Sequence, residues 1–235
     1  VSLAHEVHRA LAATAVPRTP DPALLPPLAA PGSTRPLADP APVPGALGTA
    51  LADRRSRYRF GPAPDPAAVA ALLRAGVGTA PRAGGLPSVR AYLVTADGVD
   101  RADLRLPLPG LVAVRRGPTA AYVAGAVDQP AFAPRVPLWL ALVADLAPSA
   151  GRYPPRHYRT VHLDAGAALQ NVLLVATALG LVTCPVAGYD DAAWARLLDL
   201  DDRDGEAFVA VLVALSEAPA GSRSARRPVG TGRAC

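Results

Sequence analysis

The segment from Leu163 to Val182, "LDAGAALQNVLLVATALGLV", constrains this chain more than any other. Its apolar residues run almost all the way round a helix instead of forming one stripe, so the helix belongs in the middle of something large. Asp164, Gln170 and Asn171 interrupt it and ordinary polar sequence flanks it, which favours a buried core helix over a membrane span. The next stretch, "CPVAGYDDAAWARLLDL", leaves that helix, runs briefly extended, turns on Gly188 and starts a new helix capped by Asp190 or Asp191. A chain that turns on bare backbone at Ala187 and Gly188 is built to come close to something flat.

Other elements follow from pattern. Residues 1–16 place Leu3, Val7, Ala10 and Leu11 on one helical face. Ten of the 27 prolines fall between Pro17 and Pro44. That density excludes regular helix and central strand and predicts an extended arm, and Leu24, Leu25, Leu28 and Leu37 suit it to lie on a surface. "GALGTALADRRSRYRF" reads as a helix ending near an arginine cluster. "DPAAVAALLRAGVG" reads as a helix capped by Asp65, with Pro66 at its first position and Gly76 or Gly78 at its end. "RAYLVTA", "LVAVRRG" and "TAAYVAG" read as short strands, and "VPLWLALVADL" and "EAFVAVLVALSEA" as buried ones. The order predicts an α+β fold with helices on the faces of a sheet. Its expected divisions are an N-terminal helix and arm (1–45), a main domain (46–218) and a basic, glycine-rich tail (219–235).

Composition removes several function classes. Hydrophobic residues make up 51% and aromatics only 5%, so the core must be built from Leu, Val and Ala. All 24 basic residues are arginine and the net charge is +5. No basic stripe interleaved with aromatics accompanies that charge, so no nucleic-acid partner is expected. Cys184 and Cys235 give neither a disulfide framework nor metal spacing. His157 and His162, five residues apart, lack a carboxylate partner at ligand spacing. Asp201, Asp202, Asp204 and Glu206 are too closely spaced for a calcium loop and read as a solvated acidic turn. No metal and no membrane anchor are expected, no signal-peptide pattern opens the sequence, and the predicted location is cytoplasmic.

Three separated segments point to one ligand. "RRSRYRF", Arg54 to Phe60, offers planar guanidinium forks and a small hydroxyl, a set suited to phosphate. "APRAGGLPS" offers Gly84 and Gly85, where backbone can approach a ligand plane. "CPVAGYDD" offers the bare turn already described. A flavin accounts for all three: its phosphate calls for arginine, and its redox edge calls for main-chain N–H donors that do not block hydride transfer.

"RRSRYRF" resembles the Arg-Arg-Ser-x-Arg-x-Phe signature of nitroreductase-fold flavoproteins. "DAGAALQNVLLVATALGLVTCPVAGYDDAAWARLLDL" is similar to that fold's central helix, short strand, Gly-Phe-Asp turn and following helix. "APRAGGLPSVRAYLV" and "GRYPPRHYRTVHLDAG" resemble the SagB-type dehydrogenase branch, as does the proline-rich arm in character. The resemblance covers roughly residues 46 to 217. It implies a nitroreductase-like fold, with a mixed central sheet flanked by helices and an extended Pro-rich N-terminal arm. It also implies FMN as cofactor and a homodimer with the flavins at the subunit interface. By this resemblance Arg54, Arg55 and Ser56 hold the phosphate and ribityl end, and Tyr58 stands where the signature has a basic residue. Arg82, Gly84 and Gly85 line the flavin, Gly188 offers its amide with Ala187 beside it, and Arg223 or Arg226 supplies a C-terminal phosphate contact.

SagB-type enzymes oxidise thiazoline and oxazoline rings to thiazoles and oxazoles in ribosomally made peptides, including thiopeptides. The implied partners are a modified precursor peptide and cyclodehydratase proteins. The family's Lys-Tyr base pair aligns with Arg152 and Tyr153. Arginine stays protonated and cannot accept a proton, so the base role passes to Tyr153, with Arg152 and Arg156 as positive charges favouring its phenolate. Two other functions fit the same residues: an NAD(P)H-dependent reductase of nitro, quinone or enone compounds, and a catalytically silent flavin-fold subunit that docks a peptide.

Overall fold

The computed structural model describes residues 3–12, 20–104, 109–153, 156–200 and 207–221. Its strands are Thr34–Pro36 (β1), Val89–Thr95 (β2), Gly98–Asp103 (β3), Gly110–Arg116 (β4), Leu138–Asp145 (β5), Val182–Val186 (β6) and Ala207–Ser216 (β7). They form one sheet in the order β1-β4-β3-β2-β5-β7-β6. Every pairing is antiparallel, which corrects the expected mixed sheet. The reason lies in one insertion. The long connection from β5 brings β6 back in the same direction, but β7 enters between them and runs against both.

The helices are Leu3–Ala12 (α1), Leu47–Asp53 (α2), Pro66–Ala71 (α3), Ala120–Gly125 (α4), Ala147–Ala150 (α5), His157–Ala178 (α6) and Asp191–Leu197 (α7). Asp65 caps α3 by accepting from the Ala67 amide at 2.7 Å, and a wider π turn over Leu72–Gly78 extends it to the predicted glycine. "TAAYVAG" is the helix α4 and not a strand. Its alanines favour helix, and Tyr122, Val123 and Ala126 share one buried face.

Period-two alternation divides the core between the two faces of the sheet. Trp139, Ala141 and Val143 of β5 pack with Tyr122, Trp194 and Leu197 beneath α4 and α7. Leu138, Leu140 and Leu142 pack on the other face with Leu72, Leu73, Val77, Ala168 and Val172 from the π turn and α6. Gly76 permits that second contact, since a Cβ there would lie 2.7 Å from Val172 Cγ2. Helix α6 buries His157, Val161, Asp164, Ala165, Ala168, Val172, Leu173 and Ala176, while Leu163 is 68% exposed. The helix expected at the centre of the molecule is therefore buried on one side within this chain.

The arm follows the sheet edge. Ala29 donates to the Val114 carbonyl at 2.8 Å and Leu37 to the Pro109 carbonyl at 2.9 Å. β1 pairs with β4 as an edge strand, where Pro36 need not supply an N–H to the ladder. Arg115, 7% exposed, pins the arm to the end of α7. Its guanidinium donates to the carbonyls of Pro26, Leu197 and Arg196 at 2.9, 2.9 and 2.7 Å.

Candidate functional site

Helix α2 stops where Arg54 turns extended, at φ −61° and ψ 120°, and the arginine cluster then runs beside β6. The Arg57 amide donates to the Thr183 carbonyl at 2.9 Å. Arg54 is half-buried, and Arg55, Ser56, Arg57 and Arg59 are exposed. Arg55 Nε donates to the Asp53 carbonyl at 3.2 Å. None of these guanidiniums forms an ion pair among the described residues. Four neighbouring cations without carboxylates suit a phosphate dianion.

Tyr58 links this cluster to the Gly188 turn. Its ring meets Phe132 edge-on at 6.2 Å. With Asp128, Phe132, Cys184, Ala187 and Gly188 it lines a cavity of about 210 Å³. Burial pushes the Cys184 thiol above its ordinary pKa, and a hydrogen bond from Tyr58 pulls it back. Burial also raises the Tyr189 phenol far out of the physiological range, and its hydroxyl donates to the Val209 carbonyl at 2.8 Å. At Gly188 a Cβ would lie 2.5 Å from Asp128 Oδ2. The Asp128 amide donates to the Gly188 carbonyl at 3.0 Å, and Val127 bridges Tyr189.

A second group forms at the glycine loop. Gly84 and Gly85 have φ of +63° and +67°, a left-handed conformation that favours glycine. Asp164, on the buried face of α6, holds the loop in place: it accepts from the Ala83 amide at 2.9 Å and the Ser88 hydroxyl at 2.5 Å. Tyr153 Oη lies 2.7 Å from the point where a Gly84 Cβ would stand, and Arg152 Nε lies 3.3 Å from it. The Arg152 guanidinium sits 5.8 Å from the Tyr153 ring centre. A Cβ at Gly85 would meet nothing within 4 Å, so this side of the loop is open to a planar group.

The structure thus assembles the predicted residues in two groups: Tyr58 with Ala187 and Gly188 beside the arginine run, and Gly84 with Arg152 and Tyr153. Arg82 turns back to donate to the Val77 carbonyl at 3.1 Å. Arg223 and Arg226 lie outside the described residues. Sequence reasoning missed Asp128, Ser88 and the anchoring role of Asp164, which had registered only as a polar break in an apolar helix. His157 and His162 both sit on α6. His157 is 2% exposed, and its ring nitrogens have no hydrogen-bond partner among the described residues. His162 Nδ1 lies 2.7 Å from the Tyr158 carbonyl. Among the described residues no group of three or more His, Cys, Asp or Glu side chains is placed to hold a metal.

A search of curated proteins finds no match. Solved structures resemble the chain at fold level. A putative nitroreductase from Ralstonia eutropha superposes with a TM-score of 0.68 at 23% identity, over 86% of this chain and 99% of that one. A putative nitroreductase in complex with FMN from Desulfovibrio desulfuricans gives 0.56 at 23% identity, over 79% and 94%. A chain of the E. coli microcin synthetase McbBCD complex with truncated pro-MccB17 bound gives 0.52 at 21% identity, over 60% and 55%. The model of the nitroreductase family matches residues 51–215. With more than half of its length matched, the chain belongs to the nitroreductase family of FMN-dependent oxidoreductases.

Proposed function

We propose that this protein is an FMN-dependent azoline dehydrogenase, oxidising thiazoline or oxazoline rings to azoles in a ribosomally made, modified peptide. The observation that carries this reading is the packing of the Tyr153 hydroxyl and the Arg152 guanidinium against Gly84, next to Gly85, whose Cβ position meets nothing within 4 Å. The fold-level likeness to a chain of the peptide-bound microcin synthetase supports the same substrate class.

FMN, when bound, supplies the two-electron acceptor. Arg54, Arg55 and Ser56 would hold its phosphate and ribityl end, Gly84 and Gly85 would lie along its ring system, and the Gly188 amide would face its edge. Tyr153 Oη would accept the proton lost from the azoline ring carbon, with Arg152 as a fixed positive charge beside it. Asp164 positions the loop against which that hydroxyl rests. Leu47, Leu51 and Leu163 are 65%, 52% and 68% exposed, and α2 packs beside α6. A second copy covering these side chains would complete a homodimer with flavin at the interface. A precursor peptide and cyclodehydratase proteins are the proposed partners.

The test is mass spectrometry of a cyclised precursor incubated with the FMN-loaded protein. Loss of two hydrogens per ring is expected, and Tyr153→Phe should slow it by roughly 10²–10⁴-fold with FMN retained. Full activity of that variant removes the base assignment, and absence of bound flavin removes the whole reading. One feature favours a reductase instead, the arginine at position 152, which stays protonated and cannot accept a proton. Rapid anaerobic bleaching of the flavin by NADPH, with no azole formed, would establish that alternative.

A further inference from the structure

A larger groove lies on the face of the sheet that α4 and α7 leave open. It holds about 690 Å³ between the arm at Leu28–Gly32 and the end of α7, and Arg90, Tyr92, Arg101, Asp145 and Asp199 line it. Tyr92 and Arg101 are direct cross-strand partners, so their side chains rise from the same face about 5 Å apart at Cβ. Tyr92 is 3% exposed, yet its hydroxyl makes no hydrogen bond to any described residue, and Arg101 has no ion-pair partner among them. Burial raises the Tyr92 phenol, Arg90 and Arg101 pull it down, and Asp145 and Asp199 push it up. All four charges therefore act on one point of the floor.

The charges are sorted by position. Arg101 stands on β3, toward the arm. Arg90 is shared with Asp145 at 3.1 Å. Asp199 sits beyond α7, in a left-handed conformation at φ 50°, and its Oδ1 lies 3.5 Å from Arg115 Nη2, with the side chain 55% exposed. The groove crosses from β4 over β3, β2 and β5 to β7, about 19 Å at the spacing of strands, or roughly six residues of extended chain. Its other walls are small or aliphatic: Ala29, Ala30, Val112 and Val114, with Leu28 56% exposed at the rim. No exposed aromatic face is present among the described residues that line it for a nucleobase to stack on. At the far end Asp145 and Ala147 lead through α5 into the turn that carries Arg152 and Tyr153.

We propose that this groove binds an extended peptide segment, with an acidic side chain on Arg101 and the Tyr92 hydroxyl and a basic side chain toward Asp145 and Asp199. The proposal rests on the reading that the substrate is a peptide. It adds a docking site outside the flavin pocket, from which a chain can continue toward Tyr153.

The test uses the FMN-loaded, full-length protein and fluorescein-labelled eight-residue peptides carrying one Glu and one Lys, two to five residues apart, read by fluorescence anisotropy. At least one spacing should bind. Arg101→Glu, or Glu→Gln in the peptide, should weaken it ten-fold or more. A peptide with Lys in place of that Glu should recover affinity for Arg101→Glu. Arg101→Gln repeats the measurement with a milder change, and thermal melts confirm that both variants are folded. No binding by any spacing, or binding indifferent to Arg101, overturns the proposal. Displacement of the peptide by inorganic phosphate or ADP, with the same dependence on Arg101, overturns it in favour of a phosphate site. Azole formation and the flavin spectrum are followed on the same samples. An active dehydrogenase with no groove binding sinks only the docking site, and Arg101-dependent binding without azole formation sinks only the ring chemistry.

Discussion

Replacing Gly84 by alanine tests the proposed proton acceptor without touching it. The backbone there has φ +63°, and a new Cβ would lie 2.7 Å from Tyr153 Oη and 3.3 Å from Arg152 Nε. Two costs separate cleanly. Holding an L-residue in the left-handed region costs about 1–2 kcal/mol, or a melting temperature lower by roughly 2–8 °C for a chain of this size. Restoring an ordinary 3.4 Å contact also requires the phenol oxygen to retreat by about 0.7 Å. A misplacement near 1 Å at a reacting group costs on the order of 10²-fold in rate. Gly180→Ala serves as control, because it has φ +76° and nothing within 4 Å of its Cβ. It should lose the same stability and keep its rate per folded molecule. Azole formation and FMN content are measured for Gly84→Ala, Tyr153→Phe and the double variant. With the phenol oxygen gone, the added methyl should cost no further rate. Additive losses in that cycle would refute the placement of Tyr153 as the group that Gly84 accommodates.

Asp164→Ala removes a buried acceptor of two hydrogen bonds, each worth about 1.5–3 kcal/mol when the acceptor is ionised. It should speed proteolysis between Arg82 and Ser88 and weaken FMN retention in dialysis, and Asp164→Asn should be milder. Arg115→Ala strips three carbonyls of their donor; a loss of about 2–4 kcal/mol lowers the melting temperature by roughly 5–15 °C and exposes the arm to protease. Burial, then the neighbouring Asp190, raises the Asp191 carboxyl above the ordinary range. Between its unfolded and folded pKa values the native state binds more protons than the unfolded one, so its contribution to stability is full at low pH and falls as pH rises through the folded value. Asp191→Asn should therefore raise the melting temperature at pH 7, and the gain should vanish in acid.

The parts of the fold that were legible in sequence are those fixed by local chemistry. Asp65 and Pro66 start α3 as their types dictate, and the β5 run "LWLALVAD" could hardly be anything but a buried strand. What escaped is what depends on distant partners. "TAAYVAG" fits either period over so few residues, and only the core beneath α4 selects the helix. β1 hides inside a proline-rich arm because its strand character comes from the free edge of β4, which no local pattern announces. Of the candidate site, the arginine run and the two glycine turns stand out in sequence because phosphate and flat ligands call for those residue types. Asp128, Ser88 and Asp164 were not, because their significance lies in contacts 60 to 81 residues away in sequence.

Gly188 shows why a correctly located residue need not carry its expected reason. From sequence, the bare backbone there invited a ligand. In the structure the space a side chain would fill already holds the Asp128 carboxylate, fixed by the Asp128–Gly188 and Val127–Tyr189 pairings. The identity of this glycine is thus accounted for by packing within the chain, and it adds little independent weight to a flavin. The loop glycines divide in the same way. Gly84 makes room for Tyr153, whereas Gly85 makes room for nothing among the described residues. Four clustered guanidiniums, on Arg54, Arg55, Arg57 and Arg59, likewise have no carboxylate partner among the described residues. Such a cluster repels itself, and a phosphate dianion relieves that repulsion. The proposed placement of the cofactor therefore draws its physical support from the arginine run and from Gly85, where the described residues leave charge unbalanced and space unfilled.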